Sequence, residues 1–181
     1  MAVAALVLQA QAARDPIVVF VCEHGAAKSV IAAAYFNKIA AEKGLRARAV
    51  YRGVNPQAEL SERALAGLRD DGLAVPVEKP APITQADLDR ADVVFAIGCT
   101  LPKNAIASGK AASWDDVPDD KGYGATRDAI ARHVEQLVDD LLKKQPRDSP
   151  QIQALRRRVV GNGILAFRWV SGPQRSSPLC C

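Results

Sequence analysis

Ile17-Val-Val-Phe-Val21 runs without a break into Cys22, and a few residues later the chain already has the pattern of a helix. A continuous β-branched and aromatic run of this length suits a strand buried on both faces of a parallel sheet. The connecting segment, Cys22-Glu-His-Gly-Ala-Ala-Lys28-Ser29, is short and built largely of small residues. Beyond it Val30, Ile31, Ala34, Tyr35 and Ile39 recur at helical spacing as far as Lys43, and Gly44 supplies a C-terminal stop. Strand, tight loop and helix in direct succession commit this part of the chain to a β-α unit, and the rest must pack around it.

Downstream the alternation continues. Arg46–Arg52 reads as a second strand, Leu60–Asp71 as a helix closed by Gly72, and Ala74–Val77 as a short third strand. Thr84-Gln-Ala-Asp87 has the spacing of a capping box, with Asp in place of Glu, and opens a brief helix. Asp92-Val-Val-Phe-Ala-Ile97 is another continuous apolar strand, followed by an irregular stretch with Trp114 and a run of acids. An amphipathic helix then covers about Thr126–Lys143, with Ile130, Val134, Leu137, Val138 and Leu141 on one stripe. The alternation predicts an α/β fold with a doubly wound, four-stranded parallel sheet and right-handed crossovers. Ligands of such sheets sit beyond the carboxyl ends of the strands, where the Cys22 loop and the segment after Ile97 would meet.

The 181 residues suit one domain, expected at residues 16–144, long enough to bury a core without staples. No apolar run approaches the ~20 residues of a membrane-spanning helix. The net charge of +4 belongs to residues 145–181, where six arginines face the single acid Asp148 for a net +5, leaving residues 1–144 at −1. The domain therefore has no electrostatic footprint for nucleic acid. The 145–181 segment is expected to be a disordered basic tail, with Arg156-Arg-Arg158 a solvated patch and Ile164–Val170 a strand-like run without an evident partner. Cys22, Cys99, Cys180 and Cys181 form no C-x-x-C pair, and with only His24 and His133 beside them they are too sparse for a zinc site or a disulfide framework, so no metal and no other cofactor is expected. Residues 1–15 hold the apolar run Ala2–Leu8 and then Ala10-Gln-Ala12, like the end of an export signal without its charged start. The expected location is cytoplasmic by default, periplasmic or secreted if that run is part of such a signal.

Chemistry concentrates in the loop. A helix N-terminus offers unpaired N–H groups and the positive end of a dipole, and Glu23, His24, Gly25, Ala26 and Ala27 make a loop small enough for successive amides to converge on one tetrahedral anion. The same field favours a thiolate, which makes Cys22 a candidate nucleophile, with Ser29 able to donate a hydrogen bond to its sulfur. Lys28 would neutralise charge on the anion. The segment has the length of a nucleotide-binding G-x-x-x-x-G-K-[ST] loop, but Cys22 and Ala27 stand at the two glycine positions and no acid caps the Asp92–Ile97 strand to help hold magnesium.

Cys22-x5-Lys28-Ser29 after a buried strand, the Trp114-then-acid segment and Arg127-Asp128-Ala-Ile130 near the start of the last helix resemble the low-molecular-weight protein tyrosine phosphatases and the thioredoxin-coupled arsenate reductases of the same fold. The resemblance covers about Ile17 to Leu142 and departs at one central position, where those families carry Arg and this chain has Lys28. It implies a three-layer, flavodoxin-like α/β fold and a hydrolase of phosphate monoesters, phosphotyrosine-like, working through a phosphocysteine on Cys22. It also implies an acid a few residues after the Trp, in an Asp-Pro step. In Trp114-Asp-Asp-Val-Pro-Asp119-Asp120 the first choice is Asp119, with Asp120 where the Pro should be and Asp115 and Asp116 as alternatives. His24, beside the nucleophile, would tune the Cys22 thiol or touch the substrate rim, Glu23 is a further candidate substrate contact, and by the resemblance Tyr123 would line the pocket mouth as the family's aromatic wall, with a plain loop aromatic as the alternative. The expected partner is a phosphorylated small molecule or phosphoprotein, or an inorganic oxyanion, handled by a monomer. Two other readings stay open. One is an arsenate reductase-like enzyme, for which Cys99 offers a second thiol near the Ile97 strand but no third lies in the domain; Cys99 also reads as a small buried hydrophobe. The other is a catalytically weak oxyanion-binding module, for which a Lys point charge suffices in place of the two-pronged Arg.

Overall fold

The computed structural model describes residues 14–74, 78–119 and 121–145. Four strands, β1 (Ile17–Cys22), β2 (Arg48–Gly53), β3 (Val93–Ile97) and β4 (Ala111–Trp114), form one sheet in the order β2-β1-β3-β4, every pairing parallel. The helices are α1 (Lys28–Glu42), α2 (Glu62–Asp70), α3 (Gln85–Arg90), α4 (Lys103–Ala107) and α5 (Gly122–Lys144). The chain leaves β1 to build β2 on one side and returns to build β3 on the other, so the winding reverses at β1. This is the doubly wound, flavodoxin-like α/β fold, and its ligand crevice lies at the carboxyl end of β1.

Period-two alternation divides β1 between two cores. Val18, Phe20 and Cys22 face α1, α2 and α5, among Phe36, Leu68, Ile130, Val134 and Val138, whereas Val19 and Val21 face α3 and α4, among Leu88, Leu101 and Ala105. Phe20 anchors the first core, with ring centroids 5.8 Å from Phe95 and 5.2 Å from Trp114. Cys22 is the last residue of that buried row, only 4% exposed. The same packing that defines the strand therefore fixes the position of the sulfur.

Several elements differ from the sequence expectation: α4 falls in the stretch expected to be irregular, and α5 starts at Gly122, four residues before the expected Thr126. The fourth strand is Ala111–Trp114, which lacks the β-branched run that marks a strand. As an edge it is held by its ladder to β3 and by Trp114, whose ring packs 4.7 Å from Phe95. The expected third strand at Ala74–Val77 is not part of the sheet formed by the described residues: Ala74 is irregular and residues 75–77 lie outside them. The expected apolar run at 2–8, the strand-like run at 164–170 and Cys180-Cys181 also lie outside them. Among the described residues no helix is long and apolar enough to cross a membrane, and no cluster of three or more His, Cys, Asp or Glu could hold a metal ion.

Candidate active site

The loop from Cys22 to α1 is shaped by where its carbonyls go. Those of Cys22, Glu23, His24 and Ala26 accept from the amides of Val54, Asn55, Gln57 and Ser61 at 3.1, 2.8, 3.3 and 3.0 Å. The segment after β2 thus ties the carbonyls outward, and the amides are left to the inner side. Among the described residues, no acceptor takes the N–H groups of Glu23 through Val30, and the first helical bond is Ile31 N–H to Ala27 O at 2.9 Å. Ala27 is the N-cap and has no side-chain oxygen to cap the helix. Free amides and the positive end of α1 therefore serve one small volume.

The loop also needs two glycines, of which the sequence pattern marks only one. Gly25 has φ +62, and a Cβ there would lie 2.7 Å from Gly53 N; a Cβ on Gly53 would lie 2.8 Å from Gly25 N. Two backbones are in direct contact, so neither position has room for a side chain. Gly53 ends β2 opposite Cys22.

Cys22 Sγ and Ser29 Oγ lie 3.2 Å apart, both buried, and that sulfur is the partner of the fully buried Ser29 hydroxyl. Lys28 opens α1 with its ammonium 2.7 Å from Asp119 Oδ1, the lysine side chain 11% exposed and the aspartate 75%. Gly98, at φ +58 just past β3, makes space for that ammonium: a Cβ there would lie 2.5 Å from Lys28 Nζ. A cavity of about 450 Å³ brings together Cys22, Glu23, His24, Lys28, Gly98 and Asp119. Glu23 Oε1 accepts from Asn55 Nδ2 at 2.6 Å and His24 Nδ1 lies 3.3 Å from Asn55 O, so both line the rim with side chains already engaged.

The alternative acids are engaged elsewhere. Asp115 accepts from Ser113 Oγ at 2.8 Å, and Asp116 meets His133 Nε2 at 2.7 Å, which holds the Asp116 carboxyl below its usual value. His133 itself stacks on Trp114 at 4.8 Å. Cys99 is half-buried and donates to Val21 O at 3.5 Å; burial, with the nearby Cys22 and Glu23 charges adding to it, pushes its thiol up.

Tyr123 does not join the Cys22 cavity. Its ring lies against Gly67, where a Cβ would sit 2.3 Å from the ring carbons, and its hydroxyl donates to Asp71 Oδ2 at 2.6 Å. It lines an adjoining recess of about 280 Å³ that shares Ala27, Lys28, Ser61 and Asp119 with the cavity. Sequence reasoning missed Gly53, Gly98 and the Val54–Ser61 anchors. A glycine at the carboxyl end of an expected strand, as in both Arg52-Gly53 and Ile97-Gly98, is the one signal that could have found two of them.

Fold and loop together define an α/β protein that presents free backbone amides and a cysteine thiol at the switch point of a parallel sheet. A family model described as low molecular weight phosphotyrosine protein phosphatase matches residues 17–115, more than half of the chain, and the chain belongs to that family. It is a cysteine-dependent, phosphatase-type hydrolase of phosphate monoesters, of the family whose reaction runs through a phosphocysteine, and phosphorylated molecules or oxyanions are its partners. Comparison with curated proteins gives no match. Among solved structures it is similar to YfkJ from Bacillus subtilis, at 22% identity and a TM-score of 0.63, over 73% of this chain and 98% of that one. It is similar to the YwlE arginine phosphatase of the same organism, in a Cys-to-Ser mutant with a phosphorylated active-site serine, at 25% identity and a TM-score of 0.63, over 71% and 97%. The third is a thioredoxin-dependent arsenate reductase from Corynebacterium glutamicum, at 23% identity and a TM-score of 0.62, over 74% of this chain and 65% of that one.

Proposed function

We propose that residues 16–144 form a phosphatase domain in which Cys22 is the nucleophile, the amides of residues 23–30 and Lys28 hold the phosphoryl oxygens, Ser29 steadies the sulfur, and Asp119 is general acid and then base. The observation that carries this reading is the 3.2 Å contact of Cys22 Sγ with Ser29 Oγ beneath a loop whose carbonyls are tied outward. In the first step the Cys22 thiolate attacks phosphorus. The S–P bond forms, the P–O bond breaks with its electron pair on the leaving oxygen, and protonated Asp119 gives that oxygen its proton. In the second step the Asp119 carboxylate takes a proton from water as the water oxygen attacks phosphorus; the S–P bond breaks, and inorganic phosphate and the thiolate are released. The amides need no reorganisation as charge develops on the equatorial oxygens.

Lys28 acts as a point charge instead of a fork. A doubly charged phosphoryl group entering the cavity competes with Asp119 for the ammonium, which releases the carboxylate from the pair to take up a proton from solvent and turn toward the leaving oxygen. Reduction of an oxyanion is the second reading, favoured by the Cys99 thiol lying close enough to feel the Cys22 charge and weakened by burial, which pushes the Cys99 thiol up. The deciding experiment is hydrolysis of an aryl phosphate in reducing buffer by the protein, Cys22→Ser and Lys28→Arg. Turnover by the parent and none by Cys22→Ser is expected. An inert parent beside an active Lys28→Arg variant would indicate a cradle that binds oxyanions without turning them over. Three inert proteins would end the phosphatase reading for aryl esters.

A further inference from the structure

Asp71 sits at the C-cap of α2, where the negative end of the helix dipole opposes a carboxylate. Three donors offset that placement. Tyr35 Oη and Tyr123 Oη donate to Oδ2 at 2.8 and 2.6 Å, and Arg127 Nη1 donates to Oδ1 at 2.7 Å. The donors come from two other helices. Tyr35 lies on α1 two turns after Lys28, and Tyr123 and Arg127 are one turn apart at the start of α5. The guanidinium also lies 5.9 Å from the Tyr123 ring centroid.

The same turn of α5 holds the acid segment. Thr126, buried between Tyr123 and Arg127 in sequence, donates its hydroxyl to Pro118 O at 2.8 Å, and the next residue is Asp119, paired with Lys28 at 2.7 Å. The contacts close a ring: Asp71 to Tyr35 on α1, along α1 to Lys28, across to Asp119, through Pro118 to Thr126, and along α5 back to Asp71. We infer that Asp71 is a positioning residue for the acid, setting the first turns of α5 against α1 so that Asp119 reaches the cavity. Among the described residues, no hydrogen bond or ion pair of Asp71, Tyr35, Tyr123 or Arg127 reaches Cys22 or residues 23–27, so loss of the clamp would move the acid and spare the cradle.

This inference rests on the reading of Asp119 as the acid, and the test is chosen to separate the two. An ester with a poor leaving group, phenyl phosphate, needs protonation of the departing oxygen; dinitrophenyl phosphate leaves without it. Asp119→Asn is expected to lower kcat/KM for phenyl phosphate about 100-fold or more while changing dinitrophenyl phosphate little. Asp71→Asn and the gentler Tyr123→Phe are expected to show the same selectivity at about 10–100-fold, with kcat/KM for dinitrophenyl phosphate unchanged. Equal losses on both esters in the Asp71 and Tyr123 variants, or no loss on either, would overturn the positioning role while Asp119→Asn stays selective. An unselective Asp119→Asn would overturn both readings. Thermal unfolding of Tyr123→Phe within a few degrees of the parent, expected for loss of one hydroxyl, keeps the comparison valid if Asp71→Asn fails to fold.

Discussion

Gly25→Ala and Gly44→Ala are a matched pair of perturbations. Both glycines have positive φ, +62 and +70, so each substitution carries about 1–2 kcal/mol for an L-residue in the left-handed region. Their surroundings differ. At Gly44, just past the end of α1, an added methyl meets nothing within 4 Å. At Gly25 it would lie 2.7 Å from Gly53 N and 3.0 Å from the carbonyl carbon of Arg52. Those atoms belong to β2, and Gly53 N–H is further held by Ala81 O at 2.9 Å, so they cannot retreat without loss of ladder bonds. Overpacking of this kind adds about 1–3 kcal/mol. Urea unfolding at equal m is therefore expected to show losses of about 1–2 kcal/mol for Gly44→Ala and about 2–5 kcal/mol for Gly25→Ala. Turnover should diverge further, because Gly44 is remote from the loop and a shift of about 1 Å in the cradle amides costs on the order of 100-fold in kcat/KM. Equal losses of stability would refute the close-approach argument, and full activity in Gly25→Ala would refute the cradle.

On the proposed reading inorganic phosphate binds only the folded cradle, and it is expected to raise the unfolding free energy by about 2.7 kcal/mol at about 100 times its dissociation constant. Thermal shifts in Lys28→Met at the same phosphate concentration should be smaller, and an undiminished shift would detach anion binding from this loop. Asp87 gives a pH dependence. Burial alone would raise its carboxyl, but hydrogen bonds from Arg52 at 2.9 and 3.0 Å and from Thr84 outweigh burial and hold it below the usual value. The folded state then binds the proton less readily than the unfolded one. The stabilisation is complete above the unfolded carboxylate value of about 3.9 and is lost as the pH falls through the lower folded value. Asp87→Asn should cost about 1–3 kcal/mol at neutral pH, with the gap to the parent closing as the pH falls below the unfolded carboxylate value of about 3.9. Parallel stability curves across that range would show that the Arg52 pair contributes nothing.

The parts of the fold legible in the sequence are those whose signal is local. β1 and β3 are continuous apolar runs because both faces are buried, and the capping box of Thr84 with Asp87 is present as its spacing requires. β4 was not legible because Ala-Ala-Ser-Trp owes its strand to the ladder with β3 and to the burial of one Trp, both of them non-local. The start of α5 was hidden by Gly122 and Gly124, poor helix formers that lie in its first turn, where Tyr123 and Arg127 are tied to Asp71. Tyr123 read as a pocket wall for the same reason. Nothing in the sequence says that its hydroxyl is committed to a carboxylate more than fifty residues away.

The substitution of Lys28 for the family's Arg is visible in the sequence as a loss, and the structure gives it a different meaning. A guanidinium is planar and broader than an ammonium, and it grips two oxygens at once. Here the cation at position 28 ends in a space bounded by Gly98, which has no side chain to intrude, and faces Asp119 at 2.7 Å. A compact ammonium fits between those two neighbours and still carries a full charge to the edge of the loop. The geometric discrimination lost with the fork then falls to the free amides of residues 23–30, whose directions are set by the Val54–Ser61 anchors. On the proposed mechanism, Gly98, Lys28 and Asp119 function as one coupled set. Lys28→Arg therefore changes the pairing of the acid as well as the grip on phosphate, and its effect on turnover should depend on whether residue 98 is glycine.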